Sequence, residues 1–237
     1  MTMGERSKIG WTDATWNPVT GCRPVSAGCA HCYARLQTDR LRAMGVAKYD
    51  AGFEPCTHDT ELRRPARWRR PRRIFVCSMS DLFQEAVSDE FIERVFSVML
   101  DCPWHTFQIL TKRAERLAQM APHLEWPAHV WCGVTVEDRR SLPRIAALRT
   151  VPARVRFVSF EPLLEDLGPF DFSDIHQGIV GGESGPGARP MRVEWVRALR
   201  SIVKGTGAAF FFKQWGGEWG KVAGKALDGR EWCEVPR

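Results

Sequence analysis

Nowhere in the 237 residues is there an apolar run of about eighteen, the length that a bilayer-spanning helix needs. The N-terminus, with Glu5, Arg6, Ser7 and Lys8, has no apolar core of a secretion signal. These two absences predict a cytoplasmic protein without a membrane anchor. The dinucleotide fingerprint G-x-G-x-x-G is missing, and so are the phosphate loop G-x-x-x-x-G-K-[ST] and the nucleophile elbow G-x-S-x-G. Three familiar routes to function are thereby set aside. There is no internal repeat and no low-complexity tract, so a repeat architecture is not expected.

What is present is an ordinary globular composition, 44% hydrophobic and 26% charged, in a chain long enough to bury a sizeable core. Eight cysteines in a reducing compartment are better explained by metal ligation and burial than by disulfides. Three of them, Cys22, Cys29 and Cys32, form a C-x6-C-x2-C loop that also carries Pro24, Ser26 and Gly28. Such residues let a backbone fold round a compact object. Thiolates are the soft ligands of iron-sulfur clusters and zinc, and three of them leave a metal one protein ligand short. An open position suggests chemistry, whereas closure by His31 would make a structural zinc site.

The net charge of +6 and the pI near 9.0 favour a polyanionic partner. Seven arginines crowd into positions 63 to 73 with Trp68 among them. Arginine forks suit phosphates and an indole offers a face to an unstacked base. We therefore take Arg67, Trp68, Arg69 and Arg70 as candidate contacts to DNA or RNA. The competing reading is a solvated basic connection.

After the cysteine loop, residues 33 to 44 have helical periodicity and stop at Gly45. Residues 46 to 73 have no sustained period and read as an excursion carrying the basic patch. From position 74 short apolar runs at 74–77, 106–110, 130–136, 155–159, 178–180 and 208–212 alternate with helical stretches near 88–100, 113–121, 138–149 and 191–204. Alternation of this kind predicts crossover units on a parallel sheet. One α/β domain over residues 1 to 217 is the economical reading, with a loose C-terminal tail at 218 to 237. Nearly every expected strand runs into polar residues: Ser78, Ser80 and Asp81, then Lys112, Glu137, Glu161, Glu183 and Lys213. In barrels and open parallel sheets those strand ends form the ligand face. The glycines around Glu183 in Gly181-Gly182-Glu183-Ser184-Gly185 would let backbone approach a ligand there.

The cysteine loop ending in Cys32-Tyr33-Ala34-Arg35, Ser-Met-Ser-Asp-Leu-Phe at 78–83, Leu-Thr-Lys-Arg at 110–113, Phe-Glu-Pro-Leu-Leu at 160–164, Gly-Gly-Glu-Ser-Gly at 181–185 and Phe-Phe-Lys-Gln-Trp-Gly-Gly at 211–217 resemble the three-Cys-motif family of phages, prophages and bacteria. That family looks like a distant branch of the radical S-adenosylmethionine (SAM) enzymes, near the spore photoproduct lyase group. The resemblance implies a partial parallel β/α barrel of the radical SAM type. In it Cys22, Cys29 and Cys32 hold a 4Fe-4S cluster whose fourth iron takes SAM. Reductive cleavage then yields a 5′-deoxyadenosyl radical. The first gap is six residues here, where radical SAM enzymes typically have three. By strand order, Ser78, Ser80, Asp81 and Glu183 are expected near SAM, and Lys112, Glu137, Glu161 and Lys213 as catalytic residues facing the substrate. The expected activity is repair or modification of nucleic acid, with a protein partner encoded nearby as a further expectation. Two alternatives stand beside it: a non-catalytic iron-sulfur or zinc nucleic-acid-binding protein, and a nuclease whose acidic strand ends bind Mg2+.

Overall fold

The structure is a computed structural model that describes residues 7–218 and 224–236. Residues 219–223 and 237 of the expected tail, and Glu5 and Arg6 of the polar N-terminus, lie outside the described residues.

The chain begins with β1 (Ala14–Trp16) and β2 (Val19–Thr20), passes the cysteine loop, and enters α1 (Tyr33–Ala43). Then come β3 (Cys56–Thr57), which pairs antiparallel with β2, and the single-turn α2 (Asp59–Leu62). From there strands and helices alternate as the sequence predicts: β4 (Arg73–Val76), α3 (Asp89–Leu100), β5 (Thr106–Thr111), α4 (Ala114–Met120), β6 (Val130–Thr135) and α5 (Pro143–Arg149). The series ends with β7 (Arg156–Phe160), β8 (Gln177–Gly181), α6 (Val193–Gly205) and β9 (Ala209–Gln214), followed by the hairpin of β10 (Ala226–Leu227) and β11 (Arg230–Glu231).

Seven strands form one sheet in the order β1-β4-β5-β6-β7-β8-β9, every neighbouring pair parallel. Because that spatial order never reverses along the chain, there is no switch point of the doubly wound kind. Each crossover adds its strand to the same edge, and the twisted sheet curls in one direction into a half-barrel. The expected α/β partial barrel is the observed fold.

Strand periodicity divides the core. Ile74, Val76, Phe107, Ile109, Val158, Phe160, Phe210 and Phe212 face the helices, joined by Phe91, Ile92 and Val95 of α3. The intervening positions Phe75, Phe157, Ile179 and Phe211 face the concave side and close round Trp11. The Trp11 indole lies 4.7 Å from the Phe75 ring, centroid to centroid. Gly133 makes room for that floor, since a Cβ there would stand 2.6 Å from the Phe157 ring. Each such side chain removed from water contributes about 1.5–3 kcal/mol.

Three details depart from the sequence reading. The stretch before the cysteines supplies an edge strand, β1, whose three residues are too short to show a period. The expected helix at 138–149 starts as a 3-10 turn, where Asp138 and Ser141 form a capping box, and becomes α-helical only at Pro143. The loose tail is a correction: Leu227 is fully buried, Phe212 N donates to Trp232 O at 2.8 Å, and the Glu234 carboxylate accepts from Phe210 N at 2.9 Å. No helix among the described residues is long and apolar enough to cross a membrane.

Candidate active site

Parallel strands deliver their C-terminal ends to one side, and the cysteine loop lies across that side. It is tied to four strand ends. After β4, Ser80 Oγ and Gln84 Nε2 both donate to Gly21 O, at 2.5 and 2.9 Å. After β5, Arg113 donates to Arg23 O at 2.8 Å and stands 3.5 Å from Cys22 Sγ. After β6, Glu137 accepts from the Ser26 hydroxyl at 2.6 Å. After β8, Arg189 donates to Ala27 O at 3.0 Å, and His31 Nδ1 lies 3.2 Å from Pro186 O. Gly28 packs so closely that a Cβ would stand 2.6 Å from Glu137 Oε1.

Cys22, Cys29 and Cys32 are half-buried free thiols. Burial pushes the Cys22 thiol up to about 11, with Arg113 pulling the other way and the Cys29 thiol adding to the rise. Burial also raises Cys29, but Lys112 and hydrogen bonds from Val25 and Ser26 outweigh it and hold that thiol below its ordinary value. Among the described residues no three His, Cys, Asp or Glu side chains stand close enough together to hold a metal ion, this trio included. The donor chemistry is that of a soft metal site. Of the other cysteines, Cys77, Cys102 and Cys132 are buried, Cys56 is half-buried and Cys233 exposed.

Several of the polar strand ends are buried against neighbouring side chains. Glu137, expected to face substrate, has a side chain with no exposure; it is ion-paired to Lys112 Nζ and to Arg144 Nη1, the latter at 2.7 Å. Burial opposes its ionisation, and Lys112, Ser26 and Arg144 together keep its carboxyl below the ordinary range. Lys112 is engaged in the same cluster. Asp81 is buried and accepts from Phe83 N, Thr111 Oγ1, Lys112 N and Arg113 Nη1 at 2.7–3.0 Å. Glu183 is buried beneath a two-pronged Arg189 contact at 2.8 and 2.5 Å. Burial raises the Glu183 carboxyl, and Arg189 more than compensates. Ser78 is buried and donates to Asn17 Oδ1 at 3.1 Å. Asp81, Glu137 and Glu183 therefore position the loop and its arginines.

Glu161 and Lys213 form a pair of another kind. Lys213 Nζ stands 2.6 Å from Glu161 Oε1, and both side chains keep some exposure. Glu161 Oε2 also accepts from Ser159 Oγ at 3.0 Å and from the Trp11 indole at 3.3 Å. A charged pair thus rests directly on the apolar floor of the half-barrel. Trp11, Gln84, Arg144 and Arg189 were not singled out as site residues by the sequence reading, while Ser26 and Arg113 were noted only as a loop residue and as part of a motif. Arg189 had a signal, since it closes the glycine loop after Glu183. Trp11 had none.

The arginine run does not border this mouth. Arg73 opens β4, Arg72 O accepts from Thr106 N at the start of β5, and Trp68 O accepts from the Trp104 indole just before it. The run therefore enters at the N-terminal ends of the strands. Trp68 is only 5% exposed, with the guanidiniums of Arg64 and Arg72 at 6.0 and 5.1 Å from its ring, so it offers no face to a base. Arg64 pairs with Glu61 and Arg73 with Asp13, while Arg63, Arg67, Arg69 and Arg70 are exposed.

The model of the family described as "Protein of unknown function (DUF5131)" matches residues 6–236. No curated protein matches the chain. Among solved structures, a cysteine-to-alanine mutant of spore photoproduct lyase with dinucleoside spore photoproduct is similar at a TM-score of 0.49 and 12% identity, over 85% of this chain and 63% of that one. A double mutant of the same enzyme with bound AdoMet and dinucleoside spore photoproduct gives 0.48 and 12%, over the same shares. The chain thus spans less than two thirds of the length of these structures.

Proposed function

The chain belongs to the family described as "Protein of unknown function (DUF5131)", and for it we propose a radical SAM-type enzyme. In this reading Cys22, Cys29 and Cys32 hold a 4Fe-4S cluster and leave one iron for SAM. One observation carries the proposal: a loop bearing three free thiols is bonded to the C-terminal ends of β4, β5, β6 and the loop after β8, over the concave face of a parallel half-barrel. A zinc module needs no such set of strand-end contacts. When bound, the cluster and SAM supply a carbon-centred radical that removes a hydrogen atom from the substrate.

The chain's own residues hold, orient and exclude water. Ser26, Arg113, Glu137 and Arg189 fix the loop, and Lys112 beside Cys29 favours the thiolate that a cluster requires. Trp11 with Phe75, Phe157 and Phe211 forms a dry floor. The Glu161–Lys213 pair on that floor is our candidate for contact with substrate, Lys213 as donor and Glu161 as acceptor. We propose a nucleic acid as the partner on the strength of the +6 charge and the exposed arginines.

Anaerobic reconstitution with iron and sulfide tests the reading. The expected result is a brown protein holding about four irons that forms 5′-deoxyadenosine from SAM on reduction. Stoichiometric zinc with no visible chromophore would replace the enzyme with the binding-module reading. Glu161→Gln and Lys213→Met are expected to keep the cluster and lose turnover.

A further inference from the structure

A second concave surface runs along β1, the edge strand of the half-barrel. It encloses about 510 Å³, reaching from Arg64, Arg67 and Trp68 at one end to Ser78 and Met79 at the other. That volume lies in the range of small-molecule pockets. Its lining is of two kinds. Leu41, Val46, Tyr49 and Met79 form an apolar cluster, in which Met79 packs together with Cys32. The lining also carries Lys48, Glu61, Arg64 and Arg67, three cations and one carboxylate.

That carboxylate is already shared. Lys48 Nζ at 3.2 Å and Arg64 Nη1 at 2.9 Å both approach the same oxygen, Glu61 Oε2. Burial lowers the Lys48 ammonium from its ordinary value by more than Glu61 restores, and Lys48 Nζ also donates to Asn17 O at 2.6 Å. Arg67 stands exposed at the rim with its fork available to a further anion. Arginine and lysine together at one end of a half-apolar pocket match a phosphate joined to a flat, largely apolar body.

We propose that this cavity binds a phosphorylated ligand of nucleotide size. The phosphate sits on Arg67, Arg64 and Lys48, and the base and sugar lie against Leu41, Val46, Tyr49 and Met79. The site adjoins the mouth through Ser78 and Met79, but the inference does not depend on the cluster chemistry proposed there.

Calorimetric titration of the full chain with each of the four ribonucleoside 5′-monophosphates, and with the matching nucleosides, tests it. At least one monophosphate is expected to bind, and its nucleoside at least about tenfold more weakly. Arg67→Gln removes a cation and Thr60→Glu adds a charge at the exposed rim of the same cavity; each is expected to weaken binding about tenfold without moving the melting temperature. A Cys22→Ser, Cys29→Ser, Cys32→Ser triple variant is expected to bind as the native protein does, which separates this result from the fate of the cluster. A 5′-phosphorylated single-stranded hexanucleotide tells the sources apart: tighter binding than the monophosphate identifies a nucleic-acid end, equal binding a free nucleotide. Failure of every monophosphate to bind at millimolar concentration, equal affinity for nucleoside and nucleotide, or affinities untouched by both substitutions would overturn the proposal.

Discussion

The Ser26 hydroxyl donates to Glu137 Oε1 at 2.6 Å, across 111 residues of sequence, and so fixes the middle of the cysteine loop to the end of β6. Glu137 is fully enclosed and holds Lys112 and Arg144 as well. One carboxylate thus sets the distance between the loop and two neighbouring strand ends.

Glu137→Ala should therefore be far more costly than a surface change. It leaves Lys112 and Arg144, both largely buried, without their carboxylate, Arg144 keeping only Thr135 O, a loss of about 3–5 kcal/mol. Glu137→Gln, which keeps the shape and one acceptor, should cost less. Urea unfolding measures both, and iron content after reconstitution shows whether the loop still forms. A Glu137→Ala protein with native stability would remove the staple from this account.

Gly21 and Gly45 both have positive φ, +73° and +70°, but only Gly21 is enclosed: a Cβ there would stand 2.0 Å from Glu54 O, whereas Gly45 faces open space. Alanine at position 45 should cost about 1 kcal/mol, the strain of a left-handed non-glycine residue. Alanine at 21 must in addition move backbone and should displace Cys22. Thermal melts of the two variants, with iron incorporation, are the comparison; equal effects would show that Gly21 is not a constraint on the loop.

Trp68 and the arginines beside it should part company. Trp68→Ala opens a cavity in the core and is expected to cost about 3–5 kcal/mol. Arg67→Gln, Arg69→Gln and Arg70→Gln, all at exposed positions, should each stay within about 0.5 kcal/mol. If the triple variant also leaves a salt-titrated nucleic-acid affinity unchanged, this margin has no part in binding the polyanion.

Glu61 predicts an acid limb of stability. Burial alone would raise its carboxyl, but Arg64 and Lys48 outweigh burial and lower it from the ordinary 4.5. A group with a depressed folded value stabilises the protein above its unfolded value, and that contribution is lost as pH falls from 4.5 through the folded value. Melting temperatures between about pH 7 and pH 3 should fall more steeply for the native chain than for Glu61→Gln. Parallel acid limbs would contradict the assignment.

Sequence alone determined the alternation of apolar runs and helices from position 74 onward, and hence the parallel sheet, because strand and helix periods are local properties of side-chain spacing. It also determined the three-thiol loop and the polar strand ends. What only the tertiary structure decided is which polar groups face one another. Glu137 and Glu161 look alike along the chain, each an acid just past a buried strand. One meets Ser26, Lys112 and Arg144 and is used up in holding a loop, while the other meets Lys213 above an apolar floor. The arginine run was plain in composition, and its place just before the apolar run at 74–77 already put it at the entry to β4. The burial of Trp68 depended on Arg64, Arg72 and the His105 ring, 6.2 Å away, arriving from separate segments. Periodicity is written in neighbours a few residues apart; partnership across the mouth is set by the curl of the whole sheet.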